Sequence, residues 1–282
     1  MDRMIDRRSS PLPDAPTMTL EEAMRPVPAV AEDPLIRLVG LHKTFGKQRV
    51  LQGVDLDIER GKTTVILGRS GEGKSVTIKH MMGLMQPDEG QVLVEGQDLA
   101  EMDKRALLKL RQRFGICFQN GALFDSMNVA QNVGFPLTEH TDLKGDAWRQ
   151  KVEEKLDAVG LAGMGYKMPA ELSGGMRKRV GLARAMALDP EIILFDEPTS
   201  GLDPVMTAVI DNMIIETQER FGLTVVVISH DLAAAFRVAH RVAMLYKGRI
   251  INYGDPQTFQ RSPNPIVQQF LEGRASGPMT DT

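Results

Sequence analysis

Eight residues, Gly68-Arg69-Ser70-Gly71-Glu72-Gly73-Lys74-Ser75, restrict what this chain can fold into more than any other stretch. They fit the phosphate-binding loop pattern, and the setting is the required one. The apolar run Thr63 to Leu67 comes before them, and a helical run from Val76 to Met82 follows. Glycines let backbone N–H groups crowd around phosphate oxygens, and a helix amino terminus adds positive potential. That potential is not enough by itself. Micromolar affinity for ATP requires about −8 kcal/mol, while a helix terminus contributes roughly 0.3–2 kcal/mol. Lys74 must therefore bring an ammonium charge, and Ser75 an oxygen for Mg²⁺.

Composition narrows the rest. The chain has 282 residues, 42% of them hydrophobic and 25% charged, which is ordinary for a globular protein with a sizeable core. Its net charge of −3 gives no overall pull toward nucleic acid, and no nucleic-acid partner is expected. Apolar runs such as Thr224 to Ile228 are far shorter than the roughly 20 residues of a membrane-spanning helix. Prolines 11, 13 and 16 occupy the place of a secretory h-region, and the single Cys117 suits a reducing compartment. A cytoplasmic chain with at most a peripheral membrane role is expected. The 17 methionines stand at core-like helical positions, where packing accounts for them better than copper ligation.

Along the chain, residues 1–34 are proline-punctuated and read as a flexible arm, with a short helix over Leu20 to Met24 capped by Thr19. Short strands are predicted over Leu35 to Val39, Leu51 to Ile58, Thr63 to Leu67, Gln91 to Val94 and Phe114 to Phe118. Met102 to Gln112, Asp146 to Val159 and the stretch after Ser173 have helical spacing. Beyond Pro190, strands at Ile192 to Phe195, Thr224 to Ile228 and Val242 to Tyr246 alternate with helices at Pro204 to Phe221 and Leu232 to Ala239. Apolar strands alternating with helices imply a parallel sheet covered on both faces.

Two further segments carry chemistry. Ile192-Ile193-Leu194-Phe195-Asp196-Glu197 is an apolar strand ending in acid, which puts a carboxylate at the ligand-gathering edge of a parallel sheet. Asp196 is placed to hold Mg²⁺, directly or through water, and Glu197 to polarise an attacking water. Leu172-Ser173-Gly174-Gly175-Met176 opens a helix and is a second anion-binding start, for which one chain folded around one ATP has no obvious need. Glu197-Pro198-Thr199-Ser200-Gly201-Leu202-Asp203 and Ile228-Ser229-His230-Asp231 follow in order.

With these in order, the chain resembles an ABC-transporter nucleotide-binding subunit from Leu35 to Tyr253. The resemblance implies an α/β fold: a P-loop NTPase with a RecA-like core, an antiparallel β subdomain and an inserted α-helical subdomain at about 125–188, the whole ATPase domain covering 35–262. It further implies two subunits paired head to tail, each ATP held between one phosphate loop and the other subunit's Ser173 to Gly175. By the same resemblance Gln119 contacts Mg²⁺ or the attacking water, His230 touches the γ-phosphate, Asp203 communicates across the dimer, and Phe45 either stacks on adenine or is a core residue ending a strand.

Gly73 to Val76, Phe118 to Ser126, Asn132 to Leu137, Leu172 to Leu182 and the tail Val267 to Gly273 are similar to the ATPases of Mla/MCE-type lipid transport systems. This implies an ATPase at the cytoplasmic face of the inner membrane that powers phospholipid traffic. Its partners would be a permease, an MCE lipid-binding protein and, in some systems, a STAS-domain regulator. An amino-acid or other solute importer keeps the chemistry and changes the cargo. A soluble ABC protein usually carries two cassettes or a long coiled coil, and neither is present. Glu72 departs from the small residue often found in the loop and is expected to point to solvent.

Two surfaces remain. Asn120 to Met127, with the apolar Ala122, Leu123 and Phe124, is either a permease contact or plain core. Residues 263–282 form an extension in which Ile266, Val267, Phe270 and Leu271 make one stripe of a short helix. That stripe docks on its own domain, across a dimer or on a regulator, and the resemblance favours the intersubunit version.

Overall fold

A computed structural model describes residues 18–27, 31–119 and 121–280; the expectations for residues 1–17 and for Asn120 lie outside these. In chain order the elements begin with α1 (Leu20–Ala23), β1 (Pro34–Phe45), β2 (Gln48–Glu59), β3 (Thr63–Leu67), α2 (Lys74–Met81), β4 (Glu89–Val94) and β5 (Gln97–Asp98). Then come α3 (Lys104–Gln112), β6 (Phe114–Cys117), α4 (Val129–His140), α5 (Gly145–Ala158) and α6 (Gly174–Ala185). The last third holds β7 (Ile192–Asp196), α7 (Pro204–Phe221), β8 (Thr224–Ser229), α8 (Leu232–Val238), β9 (Arg241–Tyr246), β10 (Arg249–Gly254), α9 (Pro256–Gln260) and α10 (Pro265–Glu272).

The larger sheet has the order β10-β9-β3-β8-β7-β6, parallel except for β10, which returns antiparallel along β9. Every residue of β3 and of β8 is buried, as expected of parallel strands covered on both faces. Alternate side chains divide between two cores. Val65, Leu67, Ile193, Phe195, Val225 and Val227 face one, while Ile66, Ile192, Leu194, Val226 and Ile228 face the other. The first core is closed by α4 to α8 and the tail. The second is closed by α2, α3 and the antiparallel sheet β2-β1-β4-β5. The helical layer between β6 and β7 packs α4 on α5 and α6, with Val133, Leu137, Val152, Leu156 and Val180 buried in it.

Four sequence expectations change. Strands β1 and β2 each run 12 residues, joined at Gly46-Lys47, because twist and bulges carry the pairing past the short apolar runs. Strand β10 has no counterpart in the sequence reading. It is an edge strand entered through Lys247-Gly248, both at positive φ (45° and 73°).

The stretch read as a flexible arm is docked over its described part. The Thr19 cap forms as expected, with Glu22 N–H donating to Thr19 Oγ1 at 3.2 Å, yet Ala23 is fully buried and its carbonyl accepts from Asn264 Nδ2 at 2.6 Å. Val27 N–H donates to Ile250 O, and Ala31 N–H to Asp57 Oδ2, both at 3.0 Å.

The tail helix, leaned toward a partner subunit, lies on its own domain instead. Ile266 and Val267 are fully buried within the single chain, with Phe270 and Leu271 packed at the edge of the same core. Replacing Ile266 by Ala should therefore cost about 2–5 kcal/mol of unfolding free energy in the isolated subunit. A denaturant titration checks this, and unchanged stability with weakened dimerisation would return the tail to the intersubunit role.

Candidate active site

The carboxyl ends of β3, β7 and β8 meet because the strands are parallel and in tight register. Leu67 lies beside Ser229 and Met244, and Asp196 beside Ile228. The chain leaves β3 at Gly68 and enters α2 at Lys74, so the phosphate loop, Asp196-Glu197 and His230 emerge at one edge. Two glycines are required by contact. A Cβ on Gly68 would stand 2.4 Å from the Leu245 carbonyl oxygen. One on Gly73, at φ 103°, would stand 2.8 Å from Leu51 Cδ2. The resulting cleft of about 400 Å³ is lined by Phe45, Ser70, Gly71, Gly73, Lys74, Ser75, Val76, Gln119, Asp196 and Glu197. Phe45 is 44% exposed at its rim rather than in the core.

Lys74 is only 6% exposed, and its Nζ donates to the carbonyls of Gly68 (2.7 Å) and Arg69 (3.0 Å). Burial pushes its pKa down, and the carboxylates of Glu197, Asp196 and Glu72 oppose that shift. Glu197 Oε1 stands 3.8 Å from Nζ, outside hydrogen-bond reach. The cleft thus holds a buried ammonium whose hydrogen bonds go to neutral carbonyls, with a carboxylate 3.8 Å away, and an incoming anion would add a partner of opposite charge.

Glu197 adopts φ 53°, an uncommon conformation for a non-glycine residue, with its N–H donating to Ile228 O at 3.0 Å. Its other carboxylate oxygen, Oε2, is 2.6 Å from His230 Nδ1. Ser75 Oγ donates to Asp196 Oδ2 at 3.1 Å, and Gln119 Nε2 donates to Ser200 Oγ at 2.9 Å. A hydroxyl and a carboxylate so placed are hard oxygen donors of the kind Mg²⁺ takes, with phosphate oxygens and water filling the remaining positions. No group of three or more His, Cys, Asp or Glu side chains able to hold a metal occurs among the described residues, so an all-protein metal cage is not offered.

Four predicted residues lie elsewhere. Ser173 caps α6, its Oγ accepting from Met176 N–H at 3.3 Å, and Ser173 and Gly174 face solvent outside the cleft. Gly175 is buried against α7, where a Cβ would meet Met206 Cε at 2.3 Å. Asp203 caps α7 through Val205 and Met206 N–H at 2.9 and 3.0 Å.

Glu72 corrects the sequence reading. It is half-buried rather than solvent-directed, its carboxylate accepts the Lys247 N–H, and burial raises its pKa. It anchors the phosphate loop to the β9–β10 turn. Ser200 and Arg69 were also missed. Ser200 receives Gln119, and Arg69 Nη1 donates to the Met279 carbonyl at 3.1 Å, tying the loop to the tail. Only the fold brings these partners together, since they are 81 and 210 residues apart.

Residues 51–200 match the family model described as ABC transporter. The chain is 45% identical over 244 residues, 86% of its length and 70% of the relative's, to the "Probable ribonucleotide transport ATP-binding protein mkl" of Mycobacterium leprae. It is 42% identical over 236 residues, 84% of its length and 88% of the relative's, to the "Intermembrane phospholipid transport system ATP-binding protein MlaF" of Escherichia coli K12. Among solved structures it is similar to cbiO1 from Clostridium perfringens, part of the cbiONQ transporter complex. That match has a TM-score of 0.75 and 29% identity, covering 85% of this chain and 96% of the other. It is also similar to the cassette MJ0796 in a dimeric post-hydrolysis state bound to ADP and Pi. There the TM-score is 0.71 and the identity 30%, covering 78% and 98%. With the phosphate loop, the acidic strand end and the helix start of α6 set in this fold, the chain belongs to the ABC transporter family, as an ATP-hydrolysing cassette.

Proposed function

We propose that this subunit powers phospholipid transport between bacterial inner and outer membranes. It would act at the cytoplasmic face of the inner membrane, as a head-to-tail dimer beneath a separate permease, with an MCE lipid-binding protein beyond it and a STAS-domain regulator on the ATPase. The observation that carries the ATPase half is the split in the site. Lys74, Ser75, Asp196 and Glu197 line one cleft, while Ser173 and Gly174 at the α6 start face solvent. A second copy supplies the missing half to each cleft. No described helix is long and apolar enough to cross a membrane, so transport needs the permease. The phospholipid cargo rests on the Mla-like segments and on the name of the E. coli relative. Transport assays on the reconstituted complex test the cargo. Movement of a ribonucleotide, the substrate named for the mycobacterial relative, in place of phospholipid would overturn this reading.

Within the site, Ser75 and Asp196 would hold Mg²⁺, which would supply Lewis-acid polarisation of the phosphate. Glu197 accepts a proton from the attacking water, and His230, paired with Glu197, holds that carboxylate and reaches the γ-phosphate. Lys74 neutralises phosphate charge, Gln119 reports the state of the site, and Phe45 offers an exposed face to the adenine.

Permease docking has a fitting groove of about 440 Å³ beside α3 and α4, with Leu108 56%, Phe118 44% and Phe124 42% exposed. Of the expected apolar patch, Leu123 turns into the core and Phe124 faces the groove. Asn132, fully buried, ties the segment down, accepting from Phe124 N–H and donating to the carbonyls of Phe124, Met127 and Asn128.

Three outcomes are expected. Glu197→Gln should bind ATP while hydrolysis slows about a hundredfold to ten-thousandfold, measured as single-turnover ATPase. Ser173→Arg should leave ATP binding to the isolated subunit intact and abolish turnover. Mixing it with Lys74→Ala subunits should restore activity through one intact composite site, and neutral mixing would rule out the head-to-tail pair. Phe124→Ala with Leu108→Ala should leave the free subunit's ATPase and melting temperature unchanged but weaken its co-purification with the permease.

A further inference from the structure

Lys178 lies on α6, five residues after Ser173, and its side chain runs away from that helix to a different motif. Its Nζ donates to the Pro198 carbonyl at 2.5 Å and to the Ser200 carbonyl at 3.1 Å. Burial lowers its pKa, and no charged partner opposes that shift. A partly buried ammonium held by two neutral carbonyls is costly to keep for stability alone, because an apolar side chain would avoid the desolvation.

The segment it holds is the loop that begins at Glu197 and ends at the Asp203 cap of α7. That loop starts from the strained φ of Glu197, turns through Ser200 N–H to Glu197 O (3.2 Å) and Leu202 N–H to Thr199 O (3.2 Å), and receives Gln119 on the Ser200 hydroxyl. Three motifs therefore converge on Pro198 to Ser200. Glu197 precedes it covalently, Gln119 reaches it from the end of β6, and α6 reaches it only through Lys178 and packing.

We infer that Lys178 is a positioning residue that locks the first turns of α6, which serve the partner subunit's nucleotide, to the Glu197–Asp203 loop, which serves the chain's own. The two ATP sites of a dimer are thereby set by one side chain in each subunit. This rests on the head-to-tail reading above. Lysine suits the task because its ammonium has three donors on a flexible stem, so both carbonyls are met from a helix that is not continuous with the loop.

The mixed dimer of Ser173→Arg and Lys74→Ala subunits has one intact composite site. That site is built from the phosphate loop and Glu197 of the first subunit and the α6 start of the second. Lys178→Met is introduced into one subunit, then the other, and turnover is measured with full-length chains. Turnover should fall about tenfold to a hundredfold from either position, with ATP affinity of each isolated subunit within twofold of its parent. Lys178→Arg, which keeps the donors, should restore most of the rate in both positions, and Lys178→Leu, which also lacks a donor, serves in place of Met if the latter lowers the melting temperature. A loss seen only in the Ser173→Arg subunit would reduce Lys178 to a local prop of the Glu197 loop. A loss only in the Lys74→Ala subunit would reduce it to a prop of α6. Either result, or no loss at all, overturns the inference. Failure of the parental mixed dimer to hydrolyse ATP would instead overturn the head-to-tail reading.

Discussion

The register of β3 against β8 and β9 is the constraint on which the site depends. Parallel strands end with their carboxyl edges on one side, and pairing Leu67 with Ser229 and Met244 fixes which residues share that edge. A one-residue slip would exchange the two cores, because Val65 and Ile66 face opposite ones. The slip would also carry Gly68 off the Leu245 carbonyl, the contact that only a glycine tolerates. Core packing and site assembly are therefore one requirement: the alternation that buries Val, Ile and Leu on both faces also brings Lys74, Asp196 and Glu197 to a single cleft.

Charge decides what the cleft accepts. A buried ammonium meets desolvation first, and the carbonyls of Gly68 and Arg69 offset it only as neutral acceptors. Glu197 divides its carboxylate, with Oε1 3.8 Å from the Lys74 ammonium and Oε2 2.6 Å from His230 Nδ1. An arriving phosphate meets Lys74, the loop N–H groups and the α2 amino terminus together. The helix end alone is worth roughly 0.3–2 kcal/mol, so the preorganised lysine and loop must carry most of the affinity.

What the sequence disclosed follows the locality of each signal. The phosphate loop, the strand ending in Asp196-Glu197 and the Ser173 cap are contiguous patterns whose neighbours in sequence are their neighbours in space. The fold class followed from them, since apolar strands alternating with helices have few alternatives. Glu72 failed because its partner, the Lys247 N–H, is 175 residues away and is a backbone group that no side chain announces. Docking of residues 18–27 failed for the same reason. A proline-rich stretch reads as loose until Asn264 and Ile250 arrive from the far end of the chain. The tail stripe was legible as a stripe, but periodicity specifies a face and not the surface it covers. Strand β10 was missed because an edge strand needs only a short apolar run once a hairpin turn sets its register.

The incompleteness of the single chain is itself informative. Ser173 spends its hydroxyl on the Met176 N–H, which satisfies one of the first-turn donors of α6, and Gly174 beside it is exposed. An isolated helix start of this kind is unremarkable on a surface. Here the same chain holds a cleft whose walls are the phosphate loop on one side and Gln119 and Asp196 on the other, open to solvent among the described residues. Two half-sites on one rigid sheet-and-helix frame cannot fold onto each other without breaking the α6–α7 packing in which Gly175 meets Met206. On the proposed reading, the frame that keeps them apart within a subunit lets them close between subunits, and Gln119 would register the closure, because it lies in the cleft and leads toward the Phe124 segment that Asn132 pins to the helical layer. On the proposed reading, a shift at the nucleotide moves that segment as a unit, since its three hydrogen bonds to Asn132 hold it to α4 and leave it little freedom to absorb the motion locally.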